Sequence, residues 1–114
     1  MKILITGTSQ GIGKEIAELF LTNGHEVVGF DRQESSVNNK KYTHYQLDIR
    51  DYSSLPELDG VNILVNNAGT QNEDDIDINL KSLIRMTEKY GIQEENVTHG
   101  FHLIQIEWKT GETE

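Results

Sequence analysis

The sequence predicts an α/β fold: a parallel sheet held between two layers of helix. Three observations predict it. Short apolar, β-branched runs alternate with longer stretches of helical period. The runs stop at Gly7, Asp31, Asp48 and Asn66, residue types that favour turns. The first run passes through a glycine-punctuated turn straight into a helical pattern, ILITGTSQGIGKEIA over 3–17.

The elements follow in order. Lys2 to Thr6 reads as a buried strand, short and rich in Ile and Leu. Gly11 to Asn23 reads as a helix with Ile12, Ile16, Leu19 and Phe20 at helical spacing, widened by Ala17 and Leu21. Gly24 supplies its C-terminal stop. Glu26 to Asp31 is a second buried strand, and the polar stretch 33–41 is a loop. Tyr42 to Leu47 is a third strand, ending at Asp48. Tyr52 to Leu58 is a short helix or turn interrupted by Pro56. Val61 to Val65 is a fourth strand, running into Asn66, Asn67, Ala68 and Gly69. Residues 71–75 form an acidic, solvated loop. Asp77 to Tyr90 is a second long helix with Leu80, Leu83, Ile84 and Thr87 along one face, and Gly91 ends it. Phe101 to Trp108 alternates apolar and polar residues and reads as a fifth strand. Residues 112–114 fray. Right-handed crossovers then give a Rossmann-like three-layer sheet of order 3-2-1-4-5, one long helix on each face. The architecture is incomplete, since a two-halved dinucleotide fold needs roughly twice this length.

Composition narrows the function. The 114 residues suit one domain. A net charge of −9 argues against nucleic acid or an anionic membrane as partner, because phosphates want Lys and Arg. The absence of cysteine excludes disulfide and thiolate chemistry. Neither a signal peptide nor an apolar span of bilayer length is visible, so the expected location is the cytoplasm.

Open parallel sheets bind ligands beyond the carboxyl ends of their strands, where the strand order reverses. The glycine turn lies there. Gly7 allows the tight turn, Gly11 lets backbone approach a pyrophosphate, and Gly13 lets helix and strand pack. The helix N-terminus offers amides and positive dipole to the anion. Asp31 ends the second strand, eighteen residues after Gly13, where a carboxylate accepts from both hydroxyls of an adenosine ribose and repels a 2′-phosphate. That favours NAD over NADP. Arg32 keeps NADP open, since a guanidinium pairs with a 2′-phosphate. The plain alternative for Asp31 is a turn residue. Asp48 can accept from an adenine amino group while Ile49 packs on the ring; the alternative is a helix cap or turn aspartate before Arg50 and Asp51. The small residues of Asn66 to Gly69 let a cofactor approach, though Asn and Gly also favour turns. His99 and His102 lack a third ligand, and Glu73, Asp74, Asp75 and Asp77 lack calcium-loop spacing, so no metal site is expected. His25 and His44 read as strand-flanking residues.

Taken together, these residues resemble the short-chain dehydrogenase/reductase family over about residues 1–93. The family's Thr-Gly-x-x-x-Gly-x-Gly signature is matched by Thr6, Gly7, Gly11 and Gly13, its strand-end acid by Asp31, its adenine-binding Asp by Asp48, and its Asn-Asn-Ala-Gly motif by Asn66 to Gly69. The resemblance implies that Ser9, Gln10 and Ile12 lie along a pyrophosphate. It implies that Asn67 and Gly69, around Ala68, line the nicotinamide-side ribose. It implies hydride transfer between NAD and a small alcohol or carbonyl, and self-association into a homo-oligomer. Asn79 matches the family's catalytic Asn, although the loop from Gly69 is shorter than usual and a plain helix-surface residue is the alternative. The family's Tyr-x-x-x-Lys pair is missing: Tyr42, Tyr45, Tyr52 and Tyr90 are followed at that spacing by Gln46, Ile49, Pro56 and Glu94. After about Gln93 the resemblance fades, and Thr110 reads as a turn residue rather than a substitute for the family's Ser. The expectation is a chain with the cofactor half and without the acid–base half, inactive alone. The other expectation is a non-catalytic module that binds NAD or drives assembly.

Overall fold

The computed structural model of the chain describes residues 1–68 and 81–91, and the backbone of 102–105. Its elements are β1 (Lys2–Thr6), α1 (Gly11–Thr22), β2 (Glu26–Asp31), β3 (Tyr42–Gln46), a 3-10 turn (Tyr52–Ser54), β4 (Ile63–Asn66), α2 (Ser82–Met86) running on as a π turn (Thr87–Gly91), and β5 (His102–Gln105). The strands form one parallel sheet of order β3-β2-β1-β4-β5, as the alternating pattern predicts. Ile3, Leu4 and Ile5 of β1 lie between Val27, Val28 and Gly29 on one side and Ile63, Leu64 and Val65 on the other.

Strand alternation splits the core in two. Ile3, Ile5, Val27, Ile63 and Val65 face Ala17 and Leu21 of α1. Leu4, Val28, Phe30 and Leu64 face Met86 of α2 and Tyr90 of the π turn, with Leu55, Leu58 and Val61 from the strap between β3 and β4. Cover on both faces explains why β1, β2 and β4 are near-continuous apolar runs, while β3 at the edge is polar and only partly buried.

The helix faces differ from the expected ones. In α1 the buried line is Gly13, Ala17 and Leu21, with Ile16 and Phe20 beside it, while Ile12 and Leu19 are 44% and 63% exposed. The reason is distance. The helix comes closest to the turn after β1 at Gly13, where only glycine fits, and the line of contact widens through Ala17 to Leu21. In α2 and the π turn the buried line is Ser82, Met86 and Tyr90, and Ile84 is exposed. A step of four overshoots one α-helical turn and falls short of the wider π turn, so the two offsets cancel and align these residues. Tyr90 anchors the alignment: its Oη donates to Pro56 O at 2.7 Å, and its ring meets Phe30 edge-on.

The fourth strand starts later than the sequence suggests. Val61 plugs the core and Asn62 pairs with Lys2 through both its backbone amide and its side chain, each at 2.9 Å, before the ladder begins at Ile63. The third strand stops at Gln46, one residue short of Leu47. The acidic loop 71–75, the start of the Asp77–Tyr90 helix with Leu80, and the ends of the expected fifth strand lie outside the described residues. Among the described residues no helix is long and apolar enough to cross a membrane.

Candidate functional site

The carboxyl ends of β1, β2 and β4 meet at one edge of the sheet, and the glycine turn forms its floor. Gly7 has φ +80° and donates its amide to Phe30 O at 2.7 Å, continuing the β1–β2 pairing past the strand end. Gly11 has φ +63°, the left-handed region that favours glycine. Gly13 is restricted by space instead. A Cβ there would overlap Gly7 O and Asn67 Nδ2. A Cβ on Gly7 would stand 2.8 Å from Asn67 Nδ2 and 3.2 Å from Ala68 Cα. Strand, helix and the segment after β4 therefore meet at backbone distance.

Thr6 fastens this junction. Its Oγ1 accepts from the amides of Asn67 at 3.0 Å and Ala68 at 2.9 Å, and Asn67 Nδ2 donates to Gly7 O at 3.1 Å. The α1 N-terminus is left open by comparison. Gln10, the residue before it, is extended and makes no side-chain cap, and no acid stands in the first turn. The first amides of α1 thus lack the side-chain oxygen that usually meets them, which suits an external anion.

Asp31 reaches across to the same turn. Its Oδ2 accepts from the Ser9 amide at 3.0 Å and its Oδ1 from the Gln33 amide at 2.8 Å. Ser9 is drawn in further: its Oγ donates to Glu34 O at 2.9 Å, and Ser36 Oγ donates to Ser9 O at 2.6 Å. Arg32 is largely exposed, with Nε 3.8 Å from Asp48 Oδ2. Asp48 is engaged mainly by Arg50, whose Nη2 lies 2.6 Å from Oδ2 and whose Nε lies 3.0 Å from Oδ1. The Arg50 amide also donates to Oδ1 at 2.9 Å. The hydrogen bonds from the Arg50 side chain hold the Asp48 carboxyl below the usual carboxylate range, with partial burial opposing. These bonds give the turn alternative for Asp48 a concrete form. Ile49 is buried with Phe30 and Leu55 in the core against α2.

The sheet edge thus brings together Gly7, Ser9, Gln10, Gly11, Gly13, Asp31, Asn67 and Ala68. Ile12 is exposed beside them on the first turn of α1. Gly69, Asn79, His99 and Thr110 lie outside the described residues, as does the His102 side chain. No group of three or more metal-ligating side chains occurs among the described residues.

Sequence reasoning missed Thr8 and Tyr42. Thr8 is fully buried, and its Oγ1 lies 2.7 Å from Tyr42 Oη. The available signal was Gly29, a glycine inside an apolar strand. A Cβ at Gly29 would overlap Tyr42 Oη and Thr8 Oγ1, the close approach that such a glycine marks. His44, read as a strand-flanking residue, sits inside β3 and extends this chain of contacts.

Comparison with known proteins agrees with this geometry. A sequence model described as short chain dehydrogenase matches residues 1–93. The 3-oxoacyl-(acyl-carrier-protein) reductase of Buchnera aphidicola is 32% identical over 117 aligned residues, covering 89% of this chain and 45% of that protein. Serine dehydrogenase from Escherichia coli superposes with a TM-score of 0.81 at 28% identity, covering 96% of this chain and 65% of the other. The 3-ketoacyl-(acyl-carrier-protein) reductase from Brucella melitensis, solved with NADH, gives 0.73 at 25% identity over 91% of this chain and 55% of that one. Similar solved structures include both NADH and NADP+ complexes. The chain spans about half the length of the curated relatives it matches.

Proposed function

This chain belongs to the short-chain dehydrogenase family, and on that basis we propose that it forms the nucleotide-binding part of an oxidoreductase that takes NAD in preference to NADP. The observation that carries the reading is the junction of the glycine turn with Asp31. Backbone without side chains forms the floor, the α1 amides stand uncapped, and an acid is tied to the same turn through Ser9.

Gly7, Ser9, Gln10, Gly11, Ile12 and Gly13 would hold the pyrophosphate. A phosphate needs amide donors and close backbone; Gly7 and Gly13 let strand, helix and the segment after β4 pack tightly enough to aim the α1 amides, and Gly11 keeps the approach open. Asp31 would accept from the ribose hydroxyls with the lone pairs that Ser9 and Gln33 leave open. Its charge disfavours a 2′-phosphate. Arg32 opposes that preference, but it leans toward Asp48, which supports the NAD assignment. Asp48 and Ile49 would border the adenine, and Asn67, Ala68 and Gly69 the second ribose. Asn79 is the proposed catalytic residue.

When bound, the nicotinamide supplies a carbon that takes or gives hydride, and the partner would be a small alcohol or carbonyl. The residues of this chain bind and orient; none of its tyrosines has a lysine four residues on to manage the proton. We therefore assign binding without turnover to these 114 residues taken alone. The missing pair also favours a second reading, a non-catalytic NAD-binding or assembly module. Calorimetric titration with NAD, NADH and NADP, beside a turnover assay with NADH and varied carbonyls, tests both. The expected result is binding led by NAD, with no turnover above background. Turnover by the chain alone overturns the assignment. Self-association into a homo-oligomer is part of the same proposal, and sedimentation as a monomer at high concentration contradicts it.

A further inference from the structure

Four side chains, those of Thr8, Tyr42, His44 and Asp31, close a ring of hydrogen bonds beside the glycine turn. Thr8 Oγ1 lies 2.7 Å from Tyr42 Oη, Tyr42 Oη lies 2.7 Å from His44 Nδ1, and His44 Nε2 lies 2.9 Å from Gln33 O. The Gln33 amide then donates to Asp31 Oδ1, and Asp31 Oδ2 accepts from Ser9, the neighbour of Thr8. The ring thus leaves the turn at Thr8, crosses β3, and returns to the turn through the Asp31 carboxylate.

One acceptor sets the direction of every bond. Gln33 O is a carbonyl, so His44 Nε2 carries a proton toward it. In the neutral imidazole Nδ1 is then the acceptor, Tyr42 donates to it, and Thr8 donates to Tyr42. Burial pushes the Tyr42 phenol up, and the Asp31 charge adds to this against the Thr8 hydrogen bond, so the hydroxyl keeps its proton. Gly29, paired with His44 across β2 and β3, leaves the space that the phenol and the Thr8 hydroxyl occupy.

We propose that Tyr42 and His44 are positioning residues for the adenosine ribose: by fixing Thr8 and the Gln33 peptide, they orient the Asp31 carboxylate and set its preference for a 2′-hydroxyl over a 2′-phosphate. The proposal rests on the nucleotide-binding reading above. A carboxylate held by amides on both oxygens has one orientation toward a ligand. Released on the Gln33 side, it rotates, and a 2′-hydroxyl loses more than a 2′-phosphate, which gains nothing from the acid.

The test is calorimetric titration of the full chain with NAD+ and NADP+ separately, alongside thermal melting. Tyr42→Phe and His44→Ala should each weaken NAD+ binding about three- to tenfold, the range for one ordinary hydrogen bond, and leave NADP+ within about twofold. His44 lies on the edge strand, so its variant keeps the test available if the Tyr42 variant fails to fold. Thr8→Val should behave as Tyr42→Phe does, and Thr8→Ser should restore the wild-type ratio. A purely structural role predicts lower melting temperature with both affinities falling together, and an unchanged NAD+ to NADP+ ratio in the folded variants overturns the proposal. Wild-type chain that binds neither dinucleotide defeats the nucleotide-binding reading itself, and the proposal falls with it.

Discussion

The Ser9 amide donates to Asp31 Oδ2 at 3.0 Å, so the acid at the end of β2 is bonded directly to the turn that follows β1. Asp31 is therefore both a brace of the turn and the proposed acceptor for the ribose. The two roles separate by substitution. Asp31→Asn keeps one acceptor oxygen but removes the charge, and should narrow the NAD over NADP preference while the fold persists. Asp31→Ala also strands the nearly buried Ser9 amide, and should cost about 1–3 kcal/mol in urea unfolding.

Two glycines of the turn are constrained for different reasons, and alanine tells them apart. Gly11 has open space where a Cβ would go, so Gly11→Ala meets only left-handed strain and should cost roughly 1–2 kcal/mol. Gly13→Ala drives a methyl into the Gly7 carbonyl and the Asn67 amide. It should exceed the ~1–3 kcal/mol usual for overpacking and abolish dinucleotide binding. Urea melts and calorimetry on both variants check the order.

Strands β1, β2 and β4 were readable because they are buried on both faces. Glu26–Asp31 matches at both ends, since Asp31 stops the apolar run where the sheet stops. The glycine turn was readable because its backbone demands glycine: Gly7 and Gly11 take positive φ, and Gly13 has no room for a Cβ. The helix faces were not. Nothing local distinguishes Ile12 and Leu19, which face solvent, from Ala17, which lies on the contact line; the close approach at Gly13 decides it. The ring through Thr8, Tyr42 and His44 depends on the register of β3 on β2, a long-range fact whose only local trace is Gly29. Asp48 and Arg50 are two residues apart, so their turn contact was within reach of sequence reasoning, while the approach of Arg32 was not.

Acid should expose the Asp48 contact. Its folded-state value is lowered, so the stability it contributes is present above the unfolded-state value of about 3.9 and is lost as pH falls through the folded one. Asp48→Asn should remove that part of the acid limb in unfolding curves measured from about pH 6 downward through the carboxylate range. An unchanged acid limb contradicts the assigned role of Arg50.

Alkali should act through Tyr90. Burial, foremost, raises its phenol well above the ordinary value, with the charge of Glu57 adding. A raised group stabilises fully below its unfolded value, about 10, and the contribution is lost as pH rises beyond it. Tyr90→Phe should cost about 1 kcal/mol at neutral pH by removing the bond to Pro56 O, and should flatten the alkaline limb. Unfolding monitored by circular dichroism across the alkaline range measures both effects.

The most direct measurement is calorimetric titration of the 114-residue chain with NAD+. Saturable binding in the micromolar range, abolished by Gly13→Ala and weakened by Asp31→Ala, is the predicted result. No saturable binding of NAD+, NADH or NADP+ by folded chain, even at millimolar ligand, contradicts the account.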